Sequence, residues 1–323
     1  MIRAVYILTS DFSGYYPEQC LMSLYTLRKH NPDTSTLVVT DTQTRECLNG
    51  SRLDALAHYA EVISFDTPPE YNTVKLRSRF LKTSLRKLVP GDFLFLDCDT
   101  LVCRSFSFEE FKDADIGMVA DLNAALPLSN EYTVSKCKGA GFPNLKGSPY
   151  FNSGVIFVKD APLAFKFYET WHQLWRESVQ NGCTSDQPAL CEANRRLGGI
   201  VDEIPGSWNC QIQFSESLRY LHHASVLHYF AGDGVSQHSF HEEALLKHIQ
   251  NNGIDSVVDS VLSGSIEALT AFFRQKSASL LRYLGSDMFS IYTEDPAVFR
   301  FVERLSTILR QLKRTGSKIF SGK

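Results

Sequence analysis

The sequence predicts an α/β protein, with a mostly parallel central sheet flanked by helices and a helical extension at the C-terminus. Three observations carry that reading. Over residues 1–230, short apolar runs rich in β-branched residues alternate with amphipathic helical patterns, as in βαβ units whose sheet is covered on both faces. One run, FLFLDCD (93–99), ends in two aspartates one residue apart. From about residue 240 the pattern becomes purely helical.

The elements follow in order. AVYILT (4–9) is a first strand. YPEQCLMSLYTLRKHNP (16–32) spaces Leu21, Leu24, Tyr25 and Leu27 as a helix does, with Pro17 in the first turn and Asn31-Pro32 as a stop. TSTLVVTD (34–41) and EVISFD (61–66) are strands around a helix over 46–60 with a weak point at Gly50. VKLRSRFLKTSLRKL (74–88) is a helix rich in Arg and Lys, and VPGD (89–92) turns the chain into the 93–99 strand. DIGMVAD (115–121) is another strand ending in an aspartate. Residues 122–148, rich in Asn, Pro, Gly and Lys, read as a long loop. YFNSGVIFVKD (150–160) turns through Asn-Ser-Gly into a strand, and PLAFKFYETWHQLWRESV (162–179) is an amphipathic helix. TSDQPALCEANRRLGG (184–199) is a capped helix ending at Gly-Gly, and GIVDEIP and SVLHYF (225–230) are late strands. The expected domains are 1–239 and a helical extension over 240–323.

The chain has 323 residues, 43% hydrophobic and 21% charged, with net charge −3. That balance argues against a nucleic-acid partner. No run of 18 apolar residues suggests a transmembrane helix, and the N-terminus reads as a strand rather than a signal peptide. Eight cysteines lack zinc-ligand spacing. Reduced thiols and a cytoplasmic location are the expectation.

Asp97 and Asp99 carry the chemistry. Two carboxylates this close at a strand end repel one another, and a hard divalent cation resolves the conflict. Such a cation neutralises charge on a departing phosphate. Two solvated aspartates capping the next helix are the plain alternative. A second rival is a haloacid-dehalogenase-like phosphatase, which also places DxD after an apolar strand. There the motif continues Gly-Thr, whereas here Thr100 follows Asp99 directly.

Four segments in order, FLDCDTLV, SPYFNSGVIFVK, TSDQPAL and VLHYFAG, together resemble the family 8 glycosyltransferases, the glycogenin and bacterial galactosyltransferase group. The resemblance spans about residues 1–235. It implies a glycosyltransferase-A fold, a UDP-sugar donor, Mn²⁺ (or Mg²⁺) and transfer of a hexose with retention to a saccharide, lipid-linked or protein acceptor. It implies Asp97, Asp99 and His228 as metal ligands. Asp121 would bond the donor sugar, and Asn152 and Ser153 would line its pocket. Asp186 and Gln187 would lie beside the reacting carbon. Thr9 and Ser10 would face the nucleotide, with Tyr15 or Tyr16 stacked on uracil. Cys98 lies between the metal ligands, and Arg79, then Arg77, is the Arg expected to reach the donor. The family's lysine after the late histidine is missing from HYFAGDGVSQHSF. Gln237, His238 or a base from Lys136, Lys138 and Lys146 is the expected substitute. That gap keeps a non-catalytic nucleotide-sugar-binding protein in view.

At the C-terminus, residues 300–323 hold Arg300, Arg304, Arg310, Lys313, Arg314, Lys318 and Lys323 against one acid, Glu303. A helix over 296–320 is thus expected to contact anionic membrane surface peripherally, or to pack on the domain or in a homodimer.

Overall fold

The computed structural model describes residues 2–48, 50–111, 113–124, 131–230 and 240–273, with 301 and 305. The chain divides into two compact units, 1–275 and 276–323. Apart from 301 and 305, the helix expected over 296–320 lies outside the described residues, as do the expected substitutes Gln237 and His238.

The strands of the main sheet are β1 (Arg3–Leu8), β2 (Thr36–Asp41), β3 (Glu61–Phe65), β4 (Phe93–Leu96), β6 (Ile116–Ala120), β7 (Phe151–Val158) and β8 (Asp202–Glu203). Their order is β3-β2-β1-β4-β7-β6-β8. Only β7 runs against the rest. A second sheet pairs β5 (Thr100–Val102) with β10 (Val226–His228), and β10 with β9 (Cys210–Gln211).

The helices are α1 (Tyr16–His30), α2 (Thr42–Cys47), α3 (Gly50–Tyr59), α4 (Val74–Leu88), α5 (Glu131–Gly139), α6 (Pro162–Gln180), α7 (Gln187–Arg196), α8 (Phe240–Asn252), α9 (Ser256–Leu262) and α10 (Ile266–Phe273). The single helix expected over 46–60 is two, and Gly50, at φ +37°, begins the second. The expected loop over 122–148 contains α5. Helices α8 to α10 lie in the first unit. There Tyr25 and Lys29 of α1 donate to Asp259 of α9.

Apolar runs form β1, β2 and β4 because both faces of the sheet are covered; every residue of β2 and β4 is buried. Helix α6 packs on α4 and α7 through Phe167, Trp171 and Trp175, all fully buried. Trp171→Ala would cost about 3–5 kcal/mol. Among the described residues no single helix is long and apolar enough to cross a membrane. All eight cysteines are free, and Cys20, Cys137, Cys191 and Cys210 are buried.

Candidate active site

The ends of β1 and β4 open into a cavity of about 550 Å³, at the strand ends where such sheets hold ligands. The reversed strand β7 serves this site. Because it is antiparallel to β4, its first residues meet the last residues of β4, with Leu96 opposite Val155 and the Asp97 amide donating to the Gly154 carbonyl at 2.8 Å. The expected turn at Asn152-Ser153-Gly154 is therefore strand. Its pairing with β6 is interrupted, since Met118 faces Ile156 but Val119 faces Asn152. Such irregularities re-aim side chains near functional sites.

The small sheet delivers His228. Strand β5 starts one residue after Asp99, and β10 pairs against it with His228 opposite Thr100. The Tyr229 amide then donates to the Asp99 carbonyl at 3.1 Å. One ligand atom each from Asp97, Asp99 and His228 lies within 4.8 Å of the others. His228 Nε2 is 3.2 Å from Asp99 Oδ1.

A chain of amides fixes the imidazole. Asn152 Oδ1 accepts from the Gly154 amide, at 2.9 Å, and from Asn209 Nδ2, at 2.8 Å. That leaves Asn209 Oδ1 facing His228 Nδ1 at 3.0 Å, so Nδ1 carries the proton. Nε2 then faces a carboxylate oxygen, and the two meet through a shared proton or a shared cation. Two carboxylates and an imidazole oriented through its other nitrogen are a donor set suited to Mn²⁺. The residues fit the ion.

Packing holds the ring from both sides. The Phe230 ring stacks on His228 at 4.0 Å between centroids and 9° between planes. Phe230 has φ +54°, in the left-handed region that non-glycine residues rarely occupy. On the other side a Cβ at Gly154 would come within 2.3 Å of His228 Cε1. Only glycine fits there.

The same amide chain continues to Asp121. Asn152 Nδ2 and Gln187 Nε2 both donate to Asp121 Oδ1, at 3.1 and 2.9 Å. Asp121 does not itself line the cavity; Asn152 and Gln187 do. Burial raises the Asp121 carboxyl above its ordinary pKa, against the pull of these two amides. The turn after it puts Leu122 and Asn123 at φ +62° and +50°. Gln211 holds it by accepting from the Leu122 amide at 2.7 Å and donating to the Ala120 carbonyl at 2.9 Å. Backbone held in such a region points to a site that needs it.

Asp186 stands at the start of α7 but does not cap it. Its carboxylate faces away to Arg79 Nε at 3.0 Å and accepts from Ser153 Oγ at 2.8 Å. Burial pushes this carboxyl up, but Arg79, Lys82 and Ser153 overcome it and hold the pKa at about 2. Of the two arginines, Arg79 lines the cavity, whereas Arg77 is buried against Asp41 at 3.2 Å and donates to the Ser10 carbonyl.

Thr9, Tyr16, Cys98, Asn152, Ser153, Asp186 and Gln187 also line the cavity. Ser10 and Tyr15 do not line it. The Ser10 amide, hydroxyl and carbonyl are taken up by Thr44, Asp11 and Arg77. Lys136 lines the cavity from α5, as does Lys75 from the first turn of α4. Three further residues have no precedent in the sequence reading: Asn209, Gln211 and Lys82. Lys82 is 1% exposed and donates to both oxygens of Asp97, at 2.9 and 3.2 Å.

No protein-family model matches the sequence, and no curated protein matches it significantly. Solved structures do match. An active-site mutant of LgtC is 15% identical with a TM-score of 0.50, over 79% of this chain and 98% of that one. The chain has the fold of LgtC. Mouse xyloside xylosyltransferase 1 is 16% identical at a TM-score of 0.49, over 72% of this chain and 97% of that one. GlyE, a glycosyltransferase of Streptococcus pneumoniae, is 15% identical at 0.49, over 82% of this chain and 65% of that one. The expected glycosyltransferase-A fold is thus borne out.

Proposed function

We propose that this protein is a metal-dependent glycosyltransferase that moves a hexose from a nucleotide-sugar, of the UDP type, to a saccharide acceptor. The observation that carries the reading is the convergence of Asp97, Asp99 and an oriented His228 in the lining of one cavity on this fold.

Asp97, Asp99 and His228 would hold the divalent cation, which supplies charge neutralisation on the departing diphosphate. Thr9, just after β1, and Tyr16, at the start of α1, receive the nucleotide. Asn152 and Gln187 present amide groups to the sugar hydroxyls, held in register by Asp121 behind them. Asp186 is kept ionised by Arg79 and Ser153, so it offers a carboxylate beside the carbon that gains positive character. Lys136 supplies the positive charge that the missing lysine after His228 would have given. Tyr132, 78% exposed and part of the cavity lining, offers an apolar face to an incoming acceptor ring. Retention of configuration is part of this proposal.

The test is transfer or slow hydrolysis of a panel of UDP-sugars with and without Mn²⁺. Turnover that requires Mn²⁺ and disappears in Asp97→Asn and Asp99→Asn supports the reading. UDP binding without turnover of any UDP-sugar would support a binding protein instead. Hydrolysis of a simple phosphate ester through Asp97 would sink the reading in favour of a phosphatase.

A further inference from the structure

Helix α4 carries Lys75, Arg77, Arg79, Lys82, Arg86 and Lys87, a composition that suggests a solvated basic face. Three of these side chains are nevertheless buried: Arg77, Lys82 and Arg86. Arg77 is matched by Asp41, and Arg86 donates to backbone carbonyls at Val89, Gly91 and Lys159. Lys82 is different, because its partner is one of the residues fitted to hold the cation.

The Lys82 ammonium sits over the Phe95 ring, 4.7 Å from its centroid. It donates to both oxygens of Asp97 and lies 4.0 Å from Asp186 Oδ2. A buried ammonium thus bridges the metal-facing acid and the sugar-facing acid. Among the charged groups joined by these contacts, Asp97, Asp99 and Asp186 are negative and Lys82 and Arg79 positive. With His228 neutral the set carries one net negative charge.

Adding a divalent cation alone leaves that set with a net positive charge in a partly desolvated site, which is unfavourable. Adding the anionic diphosphate at the same time restores a net negative or balanced charge. Without Lys82 the set would carry two negative charges and would balance a divalent cation by itself.

We propose that Lys82 is a fixed internal competitor for the cation at Asp97. It brings the pocket closer to charge balance before ligand arrives, and it makes firm cation binding depend on the diphosphate. The same residue therefore lets the cation leave together with the nucleoside diphosphate product. This inference rests on the proposed reading of the triad as a cation site. Lys82 is a positioning residue, since it acts through Asp97 and does not line the cavity.

The experiment is a calorimetric titration of Mn²⁺ into wild type, Lys82→Met and Lys82→Arg, each with and without saturating UDP. Lys82→Met is expected to bind Mn²⁺ alone about tenfold more tightly than wild type. Lys82→Arg, which keeps the charge, is expected to resemble wild type. UDP is expected to strengthen Mn²⁺ binding more in wild type than in Lys82→Met. Unchanged or weaker binding of Mn²⁺ alone by folded Lys82→Met overturns the proposal, because a lysine that merely anchors Asp97 gives that result. Should Lys82→Met fail to fold by circular dichroism, Lys82→Gln carries the same comparison. If removing the charge tightens Mn²⁺ binding but UDP binds no variant, the role of Lys82 stands and the nucleotide-sugar reading falls.

Discussion

The imidazole of His228 rests directly on the backbone of Gly154: a methyl group there would lie 2.3 Å from Cε1 and 2.7 Å from Nδ1. Gly154 is also the residue whose carbonyl accepts from the Asp97 amide. One small residue therefore sets the separation between two of the three groups fitted to hold a cation.

Gly154→Ala should push the imidazole off its position without unfolding the sheet. We expect the rise in unfolding midpoint on adding Mn²⁺ and UDP to shrink or vanish, while the midpoint without ligand falls by only a few degrees. A thermal-shift titration checks this, since only ligand bound to the folded state raises the midpoint. An undiminished Mn²⁺ response would separate the glycine from the metal site.

Asn209 is fully buried and is the hydrogen-bond partner that fixes His228 Nδ1. Asn209→Leu removes that bond and frees the ring to rotate. Loss of an outer hydrogen-bond partner of a ligating histidine typically weakens metal affinity about 10–100-fold. Asn209→Asp, which retains an acceptor oxygen, should recover part of that loss. Mn²⁺ affinity measured by calorimetry on the three proteins decides the matter.

The Asp186 carboxyl has a folded pKa lowered from 3.8 to about 2. A depressed acid contributes stability that is fully present above its unfolded pKa and is lost as pH falls through its folded value. This one contributes about 2 kcal/mol at neutral pH, and the loss should run from about pH 4 to pH 2. Urea unfolding at a series of pH values should show that slope in wild type and a shallower one in Asp186→Asn. Equal slopes in both would mean that the Arg79–Asp186 pair is not linked to folding.

Tyr132 and Lys136 lie one turn apart on α5, and both line the cavity. Tyr132→Ala should raise the KM for acceptor and leave the KM for donor unchanged. Lys136→Ala should do the reverse, because its charge is assigned to the donor diphosphate. Initial-rate kinetics with each substrate varied in turn separate the two, and identical effects on both KM values would refute the division.

Much of the frame was legible because burial on both sheet faces writes itself as apolar runs. β4 and β6 end where an aspartate follows such a run, which is how the sequence marks Asp97, Asp99 and Asp121, whereas His228 is marked only by the family resemblance. The residues that hold these groups in place left no comparable mark. Asn209 acts 57 residues from Asn152 and 19 from His228, contacts that only the completed fold brings about. Lys82 is hidden among basic neighbours on α4, because the sequence does not say which of them will lie over Phe95 of β4 and reach Asp97. Helix α5 reads as loop because its nine residues, EYTVSKCKG, bury only Cys137 and so lack an apolar stripe. The choice between Tyr15 and Tyr16 turned on the start of α1, where one residue rotates a side chain about 100° around the axis.

The main sheet ends a strand at Leu96 and the small sheet begins one at Thr100, so the three residues between them are the seam joining two separately bonded layers. His228 belongs to the small layer and Asp97 to the margin of the large one. An ion gripped by both would act as a rivet across that seam, and stripping it should quicken amide exchange in 226–228 while leaving the protected interior of β4 untouched.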